Sequence, residues 1–220
     1  MINKQNIIGA DETGVGDYLT PLVVAAVFVP KHNYELLKKL GVNDSKKISD
    51  KKILQIFEQI KLKIKSSVRS FSQSKYNELN KTYNANELKT LLHLDAINAL
   101  SSRLDHVDLI IIDQFANEKN MLKYQEKIFK KNDNLQNFAG PVKYVTKGES
   151  YHISVAAASI VARAHFIKLM DQQNKTWKTT FPLGTNKIVE QFAKEFIKKY
   201  GVTQLKKVAK ISFKTTQKLV

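Results

Sequence analysis

The sequence predicts an α/β layer fold. Short apolar runs of strand length alternate with longer stretches of helical periodicity. At 220 residues and 43% hydrophobic content, the chain can bury one substantial core but is short for two. Neither an internal repeat nor a low-complexity linker divides it. A single domain over residues 1–220 is therefore expected, with residues 188–220 as a helical C-terminal extension.

Residues 6–12 (NIIGADE) are short, apolar and end in two acids, the pattern of a buried strand that delivers carboxylates at its end. After the glycine-containing stretch 13–16, residues 22–29 (LVVAAVFV) are too apolar to alternate and read as a central strand. Residues 50–64 are apolar at 53, 54, 56, 57, 60, 62 and 64, a mostly helical period that Asp50 is placed to cap. Residues 66–72 alternate like a strand. Residues 84–104 form a long helix whose stripe is Leu88, Leu91, Leu92, Ala96, Ile97 and Leu100.

Residues 107–113 (VDLIIID) give a second buried strand ending in an acid, followed by a helix over 118–131 and a short strand over 142–145. Residues 132–140 read as an exposed loop. The run 151–171 opens with small side chains, as a helix packed closely on a sheet requires. The tail reads as helix, a break at Gly201, a short helix and a Thr/Lys-rich terminus.

Charge narrows the partners. Lys and Arg total 36 against 20 acidic residues, giving a net +16 and a pI near 9.8. Such a surface suits nucleic acid, whose phosphates release counterions when neutralised. No uninterrupted apolar run reaches the ~18 residues of a bilayer span, and no signal segment opens the chain. A cytoplasmic monomer with no membrane partner is expected. Cysteine is absent, which excludes disulfides and thiolate zinc sites. The five histidines (His32, His93, His106, His152 and His165) lack H-E-x-x-H spacing, which argues against a zinc enzyme.

Four acids share a context. Asp11 and Glu12 end one predicted strand, Asp113 ends another, and Glu149 follows the Lys147-Gly148 turn ahead of a helix. Strand ends converge in α/β folds. Neighbouring strand residues point to opposite faces, so Asp11 and Glu12 share one site only if the strand bends or ends there. The glycines that follow permit such a bend. Hard divalent cations such as Mg²⁺ or Mn²⁺ take carboxylates and substrate phosphate as ligands, and paired ions serve phosphodiester hydrolysis. An Asp at a strand end is also a common turn former, so spacing alone leaves both readings open.

Longer motifs carry a resemblance. GADETGVGDYLTPLVVAAVFV (9–29) resembles the first motif of the type 2 ribonucleases H, ribonuclease HIII in particular. GVNDSKKIS (41–49), YNELN (76–80) with NAN (84–86), LIIIDQFANEK (109–119) and KGESYHISVAAASIVARAHF (147–166) follow in family order. The resemblance implies a ribonuclease H-like mixed central sheet flanked by helices, with a helical C-terminal portion. It implies a metal-dependent endonuclease that cuts the RNA strand of an RNA/DNA hybrid with Mg²⁺ or Mn²⁺, leaving 5′-phosphate and 3′-hydroxyl ends. The family's metal-binding acids fall on Asp11, Glu12, Asp113 and Glu149. Glu as the fourth acid, and Gly14-Val15-Gly16 where ribonuclease HII has G-R-G, resemble HIII rather than HII.

The same resemblance implies that Gly14, Val15 and Gly16 approach the minor groove and recognise 2′-hydroxyls, and that Ser45 and Lys46 hold a backbone phosphate. As bare peptides, both stretches read as turns. Ser154 and Ser159 are assigned to packing, Phe115, Tyr144 and Phe166 to the core, and no histidine to catalysis. Ribonucleases HIII commonly carry an amino-terminal substrate-binding domain, whereas here the first motif begins about ten residues from Met1. A core without that domain is expected, with its basic surface compensating in part. Ser212, in KISFKTT (210–216), stands where relatives have histidine, and Thr20 where they have glycine. Two competing readings are HII-type incision at a single embedded ribonucleotide and an idle hybrid-binding protein.

Overall fold

The apolar runs pair into one sheet. In the computed structural model, which describes residues 6–42, 48–132 and 136–219, the strands are β1 (Ile7–Thr13), β2 (Leu22–Phe28), β3 (Lys65–Phe71), β4 (Leu109–Asp113) and β5 (Val142–Val145). Their order is β3-β2-β1-β4-β5. β1 runs antiparallel to β2 and parallel to β4, β5 is parallel to β4, and β3 is antiparallel to β2. The sheet is therefore mixed, as expected.

The helices α1 (Tyr34–Lys39), α2 (Asp50–Ile60), α3 (Gln73–Leu79), α4 (Ala85–Ser101) and α5 (Glu118–Lys131) come from the first two thirds of the chain. They are followed by α6 (Gly148–Tyr151), α7 (Ile153–Trp177), α8 (Lys187–Tyr200), α9 (Val202–Val208) and α10 (Lys214–Gln217). Alternation in β2 separates two cores. Val23, Ala25 and Val27 pack with α2 and α7, while Val24 and Ala26 join Ile8 and Ala10 of β1 against α4.

The small residues that open α7 let it lie directly on β1. A Cβ added at Gly9 would come within 2.3 Å of the Ser154 carbonyl carbon and the Val155 nitrogen, so only glycine admits this approach. By length and a mean hydropathy of 1.5, α7 could cross a membrane, although Arg163 and Lys168 interrupt its apolar run; 67% of the stretch is buried, as a core helix is.

Two local expectations change. The cap of α2 is Ser49, whose hydroxyl accepts the Lys52 N–H, and Asp50 is the first helical residue, free to pair elsewhere. That helix stops at Ile60, because Ile64 belongs to the approach to β3. The sequence gives no sign of α1 or α3, which at two turns or fewer are too short to show a helical period. The tail follows its prediction, with α8 broken from α9 at Gly201 (φ 83°).

Gly9→Ala tests the close approach. It should cost about 3 kcal/mol or more and lower the melting temperature by roughly 6–12 °C, read by calorimetry. A loss of less than a degree would contradict the packing described.

Candidate active site

The parallel register of β1 and β4 pairs Ala10 with Ile112, so the next residues, Asp11 and Asp113, lie side by side at the carboxyl ends of neighbouring strands. Both face α6 and α7. Asp11 bonds to the Ser159 hydroxyl of α7 and to its neighbour's amide, Glu12 N–H, at 2.7 Å. Asp113 Oδ1 accepts the Gly148 N–H at 2.8 Å. Lys147, in the left-handed region at φ 55°, turns the chain so that this amide points at the carboxylate. Burial raises the Asp11 pKa to about 8, and the charges of Glu12 and Asp113 push in the same direction. The hydrogen bonds from the Glu12 amide and Ser159 work against that rise but do not offset it.

The strand does not bend at Glu12. β1 stays in register with β2 through Asp11↔Ala25, Glu12↔Val24 and Thr13↔Val23, so the two side chains leave the strand in opposite directions, yet both residues line one cleft and their charges interact. The Glu12 carboxylate turns to α4, where His93 Nε2 lies 3.0 Å away and Lys89 Nζ 3.7 Å. An ionised carboxylate only accepts, so Nε2 carries the donated proton. The Nδ1 of His93 is buried without a hydrogen bond, and the ring stacks on Phe115 at 5.7 Å. Lys89 lies over the same Phe115 ring at 3.9 Å, and burial lowers its pKa while Glu12 raises it. Phe115 thus packs against the core, as expected, and also lies under the Lys89 ammonium.

Glu149 follows Gly148 on α6 and so lies one residue from the Asp113 hydrogen bond. Glu149 lines a cavity with Lys38, Val42 and His152, whereas Asp11 and Glu12 line a cleft of about 270 Å³ with Thr13, Ile48, Asp50, Ser159 and Arg163. Among the described residues, no three carboxylate or imidazole side chains come together as a ready-made metal site. Asp11 and Asp113 are adjacent, Glu12 reaches His93 and Lys89 of α4, and Glu149 lines a separate cavity. Ser45 and Lys46 lie outside the described residues.

The glycine loop follows β1 directly. Gly14 has φ +80° and no room for a side chain, since a Cβ would meet the Pro21 carbonyl at 2.1 Å. Val15 is partly buried against the α4 core. At Gly16 a Cβ would meet nothing within 4 Å, so the fold does not require glycine there.

Some residues at the site were not read from the sequence. Ser159, assigned to packing, is a hydrogen-bond partner of Asp11. Arg163 lies one turn further along α7 and makes a two-pronged pair with Asp50, Nε–Oδ1 2.9 Å and Nη2–Oδ2 3.1 Å. Their four-residue spacing on one helix was the available signal. His152 caps α7 through Nδ1 and contacts the Tyr34 hydroxyl at 3.4 Å, which fits a structural role.

The raised Asp11 pKa has a consequence for stability. Since the folded pKa exceeds the unfolded one, the contribution of this group is fully present below pH 3.8 and is lost as pH rises through about 8. Asp11→Asn should therefore stabilise the protein in chelator by at least about 1 kcal/mol at pH 8 and above, or roughly 2–4 °C. The gain should vanish near pH 4. Equal melting temperatures at pH 9 would contradict the crowding of charge at this position.

The family model described as Ribonuclease HII matches residues 8–216. Ribonuclease HIII of Staphylococcus aureus strain JH9 is 38% identical over 223 aligned residues, covering 99% of this chain and 69% of the relative. The crystal structure of Bst ribonuclease HIII in complex with Mn²⁺ is similar with a TM-score of 0.89 at 31% identity, covering 100% of this chain and 70% of that one. Ribonuclease H2 from Pyrococcus horikoshii OT3, at 20% identity, shares the fold with a TM-score of 0.78 over 97% of this chain and 96% of its own. Adjacent carboxylates at parallel strand ends, set in a strongly basic chain, are thus found together with a match along almost the whole sequence: the chain belongs to the ribonuclease HII/HIII family of metal-dependent endoribonucleases, with ribonuclease HIII among its relatives.

Proposed function

We propose that this chain hydrolyses the RNA strand of RNA/DNA hybrids by a two-metal mechanism, with Asp11, Glu12, Asp113 and Glu149 holding Mg²⁺ or Mn²⁺. The observation that carries this reading is the pairing of Asp11 beside Asp113. The donor set fits hard divalent ions, since it offers only carboxylate oxygens and the chain has no thiol. The charge crowding that raises the Asp11 pKa is what a bound cation relieves. In this reading Glu12 and Glu149 complete the set.

When bound, such ions supply a water of lowered pKa and offset charge on the leaving oxygen. The chain's own residues do the rest. Asp113 is oriented by the Gly148 amide and Asp11 by the Ser159 hydroxyl, so neither carboxylate has to be ordered when substrate arrives. Attack of water on phosphorus breaks the P–O3′ bond, and a proton passes to the departing oxygen. The products are a 3′-hydroxyl and a 5′-phosphate. Lysine-rich surface holds the hybrid through its phosphates.

The loop of Gly14, Val15 and Gly16 is proposed to read successive 2′-hydroxyls through its backbone. Glycine at position 16, where the protein itself leaves open space, suits close approach by an external group. Val15 supplies no guanidinium to grip a phosphate at an RNA–DNA junction, which favours runs of ribonucleotides over a single one.

Two measurements test this reading. Asp113→Asn should lower kcat/KM on a continuous hybrid by about a thousandfold while hybrid affinity persists. Turnover within a few-fold of wild type would remove Asp113 from the site. On the unmodified enzyme, a duplex with one embedded ribonucleotide should be cut at least about tenfold more slowly than the hybrid, because several 2′-hydroxyl contacts are missing. Equal rates would refute the HIII-type reading of the loop.

A further inference from the structure

The tail reaches back to the glycine loop through one buried side chain. Lys210 is 1% exposed, and its ammonium donates to the Gly14 carbonyl. Its backbone N–H donates to the Tyr18 carbonyl at 2.9 Å, and Tyr18 meets Thr216 of α10 through their hydroxyls at 3.0 Å. Asn77 of α3 holds the segment in place by donating to the Lys206 and Ala209 carbonyls and accepting the Ile211 N–H. The rings of Tyr76 and Phe213 lie 5.6 and 5.3 Å from the ammonium. Burial lowers the Lys210 pKa to about 8 and Asp17 opposes that shift, so the group remains charged at neutral pH.

A buried ammonium aimed at a neutral carbonyl, among aromatic rings, is an expensive way to hold a fold together; an apolar side chain of the same size generally serves stability as well. What the charge does fix is one peptide plane. The Gly14–Val15 peptide is trans and planar, so its carbonyl and its N–H point in opposite directions. With the carbonyl drawn in to Lys210, the Val15 N–H is aimed away from it. The Thr20 hydroxyl lies 3.4 Å from both this carbonyl and that of Asp17, so its single proton is shared between them.

We propose that Lys210 is a positioning residue of the hybrid-binding loop: its ammonium clamps the Gly14 carbonyl so that the Val15 N–H is presented to a ribose 2′-hydroxyl. This rests on the reading that the loop contacts substrate. The role belongs to binding and discrimination, with Lys210 itself touching neither substrate nor the reacting atoms.

The test compares wild type, Lys210→Met and Lys210→Arg on a continuous hybrid and on one whose ribonucleotides beside the cut carry 2′-hydrogen. Wild type should lose efficiency on the deoxy-substituted hybrid; if it does not, the loop reading itself fails, independently of Lys210. Given that sensitivity, Lys210→Met should melt within a few degrees of wild type, raise KM about tenfold with little change in kcat, and respond less to removal of the 2′-hydroxyls. Lys210→Arg, which keeps charge and donors, should recover part of the KM. A Lys210→Met enzyme with wild-type KM and full 2′-hydroxyl sensitivity would overturn the proposal. So would one that fails to fold, because the charge would then serve the tail as a whole.

Discussion

Close contact between the backbone of α7 at Ser154 and Val155 and β1 at Gly9 sets the spacing of the site. That contact brings Ser159 within hydrogen-bonding reach of Asp11 and keeps α6, which precedes α7 directly, against the end of β4, where Gly148 meets Asp113. A side chain at position 9 would lift the helix, and both supports would leave their carboxylates together. The run of alanines after Val155 extends the same approach along the sheet.

Negative charge is concentrated where this packing is tightest, in a chain whose net charge is +16. The protein divides the load between the two faces of β1. On the α4 face, Glu12 is met by His93 and Lys89, themselves buried against Phe115. On the α7 face, Asp11 and Asp113 are met by hydrogen-bond donors, and the Asp11 carboxyl is held far above the ordinary carboxylate range. Retaining an acid whose ionisation opposes folding is the trade expected of a functional site. Under the proposed function the basic surface serves the hybrid's phosphates, a separate task from balancing these acids.

Much of this was legible because it depends on period and punctuation. The strands that carry Asp11 and Asp113 stand out as apolar runs followed by acids, α5 and β5 fall where their patterns place them, and Gly201 breaks the tail as read. What was not legible depends on distant partners. β1 goes on pairing with β2 past Glu12 without the bend that the glycines permit, and His93 and Lys89, some eighty residues away, show where that side chain goes. Ser49 took the capping role from Asp50, leaving its carboxylate for Arg163. Lys210 looks like one more surface lysine in a lysine-rich tail, and its burial follows from the way α3 and the tail fold over the Gly14 carbonyl.

The central claim is that Asp11 and Asp113 share divalent ions, with Glu12 and Glu149 joining them. Anomalous diffraction from a crystal soaked in Mn²⁺ tests it most directly. The account predicts a peak about 2.0–2.6 Å from carboxylate oxygens of both Asp11 and Asp113, with Glu12 released from His93. Manganese held elsewhere on the protein, with neither aspartate within coordinating distance, would contradict it.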